Sequence, residues 1–229
     1  MKTFVMLAVF LFATSWAEES KESSSFEEED VKEIAKYVQD KFNSTIVFDI
    51  MTLIKKTEDK CPDIEEKLER AGEEIGECIE QIELGSETFC SLLRKNGQKC
   101  TKPGVEAIAS CLPEESKELP AMLSKIIWVV IDQACNSTVE EILELFNPCV
   151  MNKEANKSPE CTAVKDTIVS HKDQLPSKSL ICSLVPKVKS CAAKHEGGCT
   201  NPITKNANLH FQNAIEDAIK DDCDALNKA

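Results

Sequence analysis

The sequence predicts an all-α protein in which disulfides staple helix to helix. Three observations lead there. Apolar residues recur at three- and four-residue intervals along most of the chain, no run alternates apolar and polar residues as a half-buried strand does, and 12 Cys are spread through the 229 residues. Only 7 Gly and 9 Pro occur, and hydrophobic residues make up 42%, so collagen-like and low-complexity classes are excluded.

Residues 1–17 read as a secretory leader: Lys2 opens it, Phe4 to Ala13 is apolar, and Ser15-Trp16-Ala17 forms a small-x-small cleavage site before Glu18. The apolar run is about half of the roughly 20 residues that cross a bilayer. An acidic, Ser-rich lead over 18–30 is expected to stay disordered, and the helical domain is expected over 31–229. Its first helix is marked by Val31, Ile34, Ala35, Val38, Phe42, Ile46, Ile50 and Leu53, with Ser25 and Glu28 as a candidate capping box. A second starts at Pro62 and carries Ile64, Leu68, Ala71, Ile75, Cys78 and Ile82 on one stripe. Further helices are expected over 86–95, 104–112, 120–134, 137–146, 159–171, 178–195 and 203–223. Asn96-Gly97, Pro113, Asn147-Pro148, Pro176 and Gly197-Gly198 supply the breaks. Ser137 with Glu140 is the expected capping box of the 137–146 helix.

In an oxidising compartment an even set of cysteines reads as disulfides rather than as metal ligands. The expectation is six bridges among Cys61, Cys78, Cys90, Cys100, Cys111, Cys135, Cys149, Cys161, Cys182, Cys191, Cys199 and Cys223. Connectivity stays open, since 12 cysteines allow about ten thousand complete pairings. Helix length removes some of them. A helix rising 1.5 Å per residue holds Cys61 and Cys78 about 25 Å apart, against the roughly 7 Å a bridge allows. The same holds for Cys199 with Cys223, and largely for Cys111 with Cys135. Cys182 and Cys191 face opposite sides of one helix unless Pro186 breaks it.

The spans 61–135 and 149–223 have equal length and hold six cysteines each. Cys90-Ser-Leu recurs as Cys182-Ser-Leu, and Ile127 and Ile131 sit where Ile215 and Ile219 sit. An old tandem duplication of a six-cysteine helical unit is the expected origin.

The formal charge of −13 lacks the basic footprint of a nucleic-acid or anionic-membrane surface. The apolar run Ile126 to Ile131 is interrupted by Lys125 and Asp132, so no later segment is expected to span a membrane. No G-x-S-x-G elbow, H-E-x-x-H, P-loop or G-x-G-x-x-G occurs. His171, His195 and His210 are expected to be helix-end or packed residues, and Asp217, Asp221, Asp222 and Asp224 a solvated helix end without the Gly and closing Glu of a calcium loop. Neither enzyme activity, metal nor cofactor is therefore expected. Asn43, Asn136 and Asn156 stand in N-x-S/T sequons and are candidate glycosylation sites.

With these features the whole mature chain resembles the insect 27 kDa haemolymph glycoprotein family, in length, cysteine framework and phrases such as Glu87-Thr-Phe-Cys90 and Phe146-Asn-Pro-Cys149. The resemblance implies a secreted, circulating glycoprotein with no assigned enzymatic role. Two functions are open at this stage. One is a carrier whose helices enclose a small hydrophobic ligand, walled by Ile126, Ile127, Val130, Ile131, Leu209, Ile215 and Ile219. The other is an interaction, immune-response or storage protein without such a ligand.

Overall fold

A computed structural model describes residues 61–83, 85–150, 157–171 and 174–226. The leader, the acidic lead, the first expected helix, Asn43 and Asn156 lie outside them. From Asp63 onward the chain forms one compact unit, helical with no strand among the described residues. The protein is all-α and disulfide-stapled.

Helix α1 spans Ile64–Glu80, with Glu65 and Glu66 in its first turn, where acidic groups complement the helix dipole. Ile64 and Ala71 are its buried stripe. Helix α2, Phe89–Leu92, is capped by the Thr88 hydroxyl, which accepts the Ser91 N–H at 3.3 Å. The break expected at Asn96-Gly97 is absent. Instead the chain passes through one wider π turn, Leu93–Gly97, directly into α3, Gln98–Cys111. Two local hydrogen bonds and one tertiary contact let it continue. The Asn96 Nδ2 donates to the Leu92 carbonyl at 3.1 Å, and Thr101 Oγ1 donates to the Gly97 carbonyl at 3.0 Å. The bare Gly97 backbone also admits the Trp128 ring, whose Cη2 would lie 2.0 Å from a Cβ at that position.

Helix α4, Leu119–Asn136, carries Pro120 in its first turn and buries Leu119, Met122, Ile126 and Val130. Helix α5, Val139–Glu144, has a capping box one residue later than expected. Thr138 is the N-cap, and its hydroxyl accepts the Glu141 N–H while the Glu141 carboxylate accepts the Thr138 N–H. Ser137 instead closes α4, donating its hydroxyl to the Gln133 carbonyl at 2.8 Å.

Helix α6 spans Pro159–Ser170 and α7 spans Lys178–Glu196, capped by Ser158 and Ser177. Pro186 does not end α7. Helix α8, Pro202–Leu226, buries Ala207, Phe211, Ile215 and Ile219.

Packing divides this unit into two three-helix groups. α1 packs on α3 and α3 on α4; α6 packs on α7 and α7 on α8. α4 and α8 then pack against one another and join the groups, with Ile126, Val130, Phe211 and Ile219 nearly inaccessible to solvent. Each such side chain contributes about 1.5–3 kcal/mol by leaving water.

The bridges follow the same division. Cys78–Cys100 and Cys90–Cys135 staple the first group; Cys149–Cys199, Cys161–Cys191 and Cys182–Cys223 staple the second. Their Cα atoms are 4.6–5.7 Å apart. Cys61 and Cys111 are also oxidised, and no cysteine is free. Counted along each six-cysteine set, the second joins the fourth and the third joins the sixth in both groups. The first joins the fifth in the second group, and the counterparts in the first group are Cys61 and Cys111.

Candidate functional site

The stripe expected to wall a cavity is divided between core and surface. Ile126, Val130, Ile215 and Ile219 are buried on the two helices that pack together, while Leu209 is 44% exposed. The interface of α4 and α8 thus uses these aliphatic groups as core. A row of polar side chains continues it along α8. Thr204, Asn208 and Gln212, four residues apart, are all buried. The Thr204 hydroxyl donates to the Glu144 carboxylate, which also accepts from Asn147 at 2.8 Å. Asn208 donates to the Thr204 carbonyl at 2.9 Å, and Gln212 donates to Glu196 Oε1 at 2.6 Å. Burial raises the Glu196 pKa, against the hydrogen bond from Gln212 and the charge of Lys205. A spacing of four marks this row as one helix face, but nothing in the sequence told that the face was buried.

The acidic end of α8 departs from expectation at one residue. Asp217, Asp221 and Asp224 are exposed, whereas Asp222 pairs with Lys125 at 3.1 Å and with Lys178 at 3.2 Å. Lys178 also reaches Glu118 at 2.8 Å. These pairs tie α4, α7 and α8 together. Burial opposes the charge on Asp222, yet the hydrogen bonds from Lys125 and Lys178 prevail and its pKa is lowered. Hydrogen bonding to Glu118 leads a raised pKa at Lys178.

The three histidines sit on different helices. His171 caps α6 with Nδ1 2.8 Å from the Thr167 carbonyl, His195 is half-buried in the last turn of α7, and His210 is exposed on α8. His195 lies close to Cys161 and Cys191, but those sulfurs are bonded to one another and offer no thiolate to a metal.

A groove of about 270 Å³ opens beside the π turn. Leu93, Arg94 and Gln98 line it from the α2–α3 side, and Lys125, Trp128, Val129, Ile131 and Asp132 from α4. The Trp128 indole N–H donates to Thr101 Oγ1 at 3.2 Å, which fixes the ring over Gly97. Arg94 donates from Nε to Asp132 and from Nη2 to Asn136 Oδ1 at 2.6 Å. Asn136 Nδ2 donates to the other Asp132 oxygen at 3.2 Å. Asn136 therefore stands exposed at the end of α4 with its amide held in place. Of the residues expected to wall a cavity, Ile131 alone lines this groove, and its other lining residues were not anticipated from the sequence.

Comparison of the chain with protein-family models, curated proteins and solved structures returns no match. Complete oxidation of the cysteines, with no helix among the described residues long and apolar enough to cross a membrane, is compatible with an extracellular location.

Proposed function

We propose that the protein is a secreted, non-enzymatic glycoprotein of the insect 27 kDa haemolymph type that carries a short, partly apolar ligand. The Trp128 groove carries this reading. It combines a fixed aromatic ring and aliphatic walls with a few oriented polar groups, the usual make-up of a ligand site. Its volume of about 270 Å³ lies just under the ~300–1,000 Å³ of drug-sized pockets, which favours a compact ligand over a sterol or long-chain fatty acid. Secretion is supported by the leader-like start and by the oxidised cysteines. Attachment of a glycan at Asn136 Nδ2 would keep Oδ1 as the acceptor for Arg94. The non-enzymatic reading rests on the absence of a free thiol and on the separation of the histidines onto three helices.

Solvent extraction of the native protein followed by mass spectrometry tests the proposal. A compact ligand recovered in stoichiometric amount supports it, and an empty extract, together with no binding by small amphiphiles, refutes it. A second reading, an interaction protein, is favoured by one observation. Val139 and Leu143 on α5 are 76% and 65% exposed, and Phe146 just beyond is also exposed.

A further inference from the structure

We infer that the Trp128 groove selects a small carboxylate, with Arg94 as its anchor. This rests on the small-ligand reading above and names the ligand's chemical class.

The charged groups lining the groove are Arg94, Lys125 and Asp132; Arg94 is paired with Asp132 and Lys125 with Asp222, so a ligand would be held by the remaining donors of the guanidinium rather than by excess charge. Both Asp132 oxygens are committed, one to Arg94 and the other to Asn136. Arg94 spends two of the five N–H donors of a guanidinium on Asp132 and Asn136, which leaves its Nη1 end for an incoming acceptor. A guanidinium oriented in this way is suited to receive a carboxylate. Lys125 spends its charge on Asp222 and is therefore a weaker direct donor than Arg94.

Among the described residues, the second three-helix group has a different contact at the matching positions. A shift of 88 residues carries Cys135 onto Cys223 and Trp128 onto Glu216; a shift of 92 carries Cys90 onto Cys182 and Gly97 onto Lys189. Where the first group sets an indole over a glycine, the second has the Lys189–Glu216 ion pair. The interval from the third to the fourth cysteine is one residue longer in the first group, Cys90 to Cys100 against Cys182 to Cys191, and the π turn lies within it. A π turn absorbs one extra residue within a helix and often accompanies a functional site. Leu93 and Arg94, the two residues that open this turn, both line the groove.

The test titrates the intact native protein with 3-phenylpropionate, its neutral amide 3-phenylpropionamide, and palmitate, following Trp128 emission and calorimetric heat. The chain has only one other tryptophan, Trp16 in the leader-like segment. The acid should bind, and the amide should bind at least about tenfold more weakly, as expected for loss of a charge-assisted hydrogen bond. Arg94→Gln, checked for fold by circular dichroism, should abolish the preference while leaving weak binding of both. Should Arg94→Gln misfold, Asn136→Gln, which loosens the hold on Arg94, must narrow the acid-to-amide ratio. Equal affinity for acid and amide overturns the carboxylate assignment but leaves the small-ligand reading standing. Binding of palmitate alone, or of none of the three, overturns both.

Discussion

The two three-helix groups share a bridge order and a helix pairing, yet they hold the equivalent helix contact by different means. In the first, Trp128 on α4 lies over Gly97 and donates to Thr101. In the second, Glu216 on α8 pairs with Lys189 on α7, both more than a third exposed. An indole over bare backbone excludes water and leaves a groove along its edge. A half-exposed ion pair needs no such close approach, and it contributes little, because solvent screens it. The covalent frame is therefore held constant while the contact within it varies. Such a pattern is what duplication of one unit followed by divergence would leave.

The largest expected effect tests the shared frame. Removing Cys78–Cys100 by paired Ala substitution should cost about 2–5 kcal/mol, and removing Cys161–Cys191 should cost a similar amount, because they close loops of comparable length, 22 and 30 residues apart in sequence. Denaturant unfolding checks both. A large cost on one side alone would break the parallel between the groups.

Next come the substitutions at the divergent contact. Trp128→Ala should destabilise by roughly 2–4 kcal/mol, somewhat below the range for a fully enclosed Trp since the ring edges a groove. Gly97→Ala should cost about 1–3 kcal/mol, as its Cβ would enter the Trp128 ring. Glu216→Ala, at the matching position, should cost no more than about 1 kcal/mol. Equal losses at Trp128 and Glu216 in thermal unfolding would show that the two contacts do not differ as described.

Much of this frame was legible in the sequence, and the difference between its halves was not. Periodic apolar residues marked α1, α4 and α8, and helix length correctly kept Cys61 from Cys78 and Cys199 from Cys223. Asn96-Gly97 misled, because these residues usually end a helix, and only the tertiary contact with Trp128 makes the glycine an asset within one. Thr138 rather than Ser137 caps α5, since Ser137 is engaged by the end of α4. The burial of Thr204 and Gln212 was hidden for a related reason. Their partners Glu144 and Glu196 come from other helices, and no local pattern announces them.

The smallest expected effect concerns Glu196. A carboxyl whose folded pKa is raised binds its proton more tightly in the native state, so stability falls as pH rises from the unfolded value of about 4.5 through the raised one. Glu196→Gln keeps an acceptor for Gln212 and removes this penalty. Its melting temperature relative to the parent should be higher at pH 7 than at pH 4, whereas Asp222→Asn should lose stability at pH 7 and converge on the parent in strong acid, because the Asp222 pKa is lowered. Parallel melting curves at the two pH values for Glu196→Gln would refute the burial effect.

The claim on which the comparison of the groups depends is their common bridge order, and peptide mapping of the non-reduced native protein by mass spectrometry tests it most directly. The expected peptides join Cys78 to Cys100, Cys90 to Cys135, Cys149 to Cys199, Cys161 to Cys191 and Cys182 to Cys223, with no free thiol to alkylate. The common order further predicts a Cys61 to Cys111 peptide. Recovery of Cys90 joined to Cys100, or of any bridge linking one six-cysteine set to the other, would contradict the account.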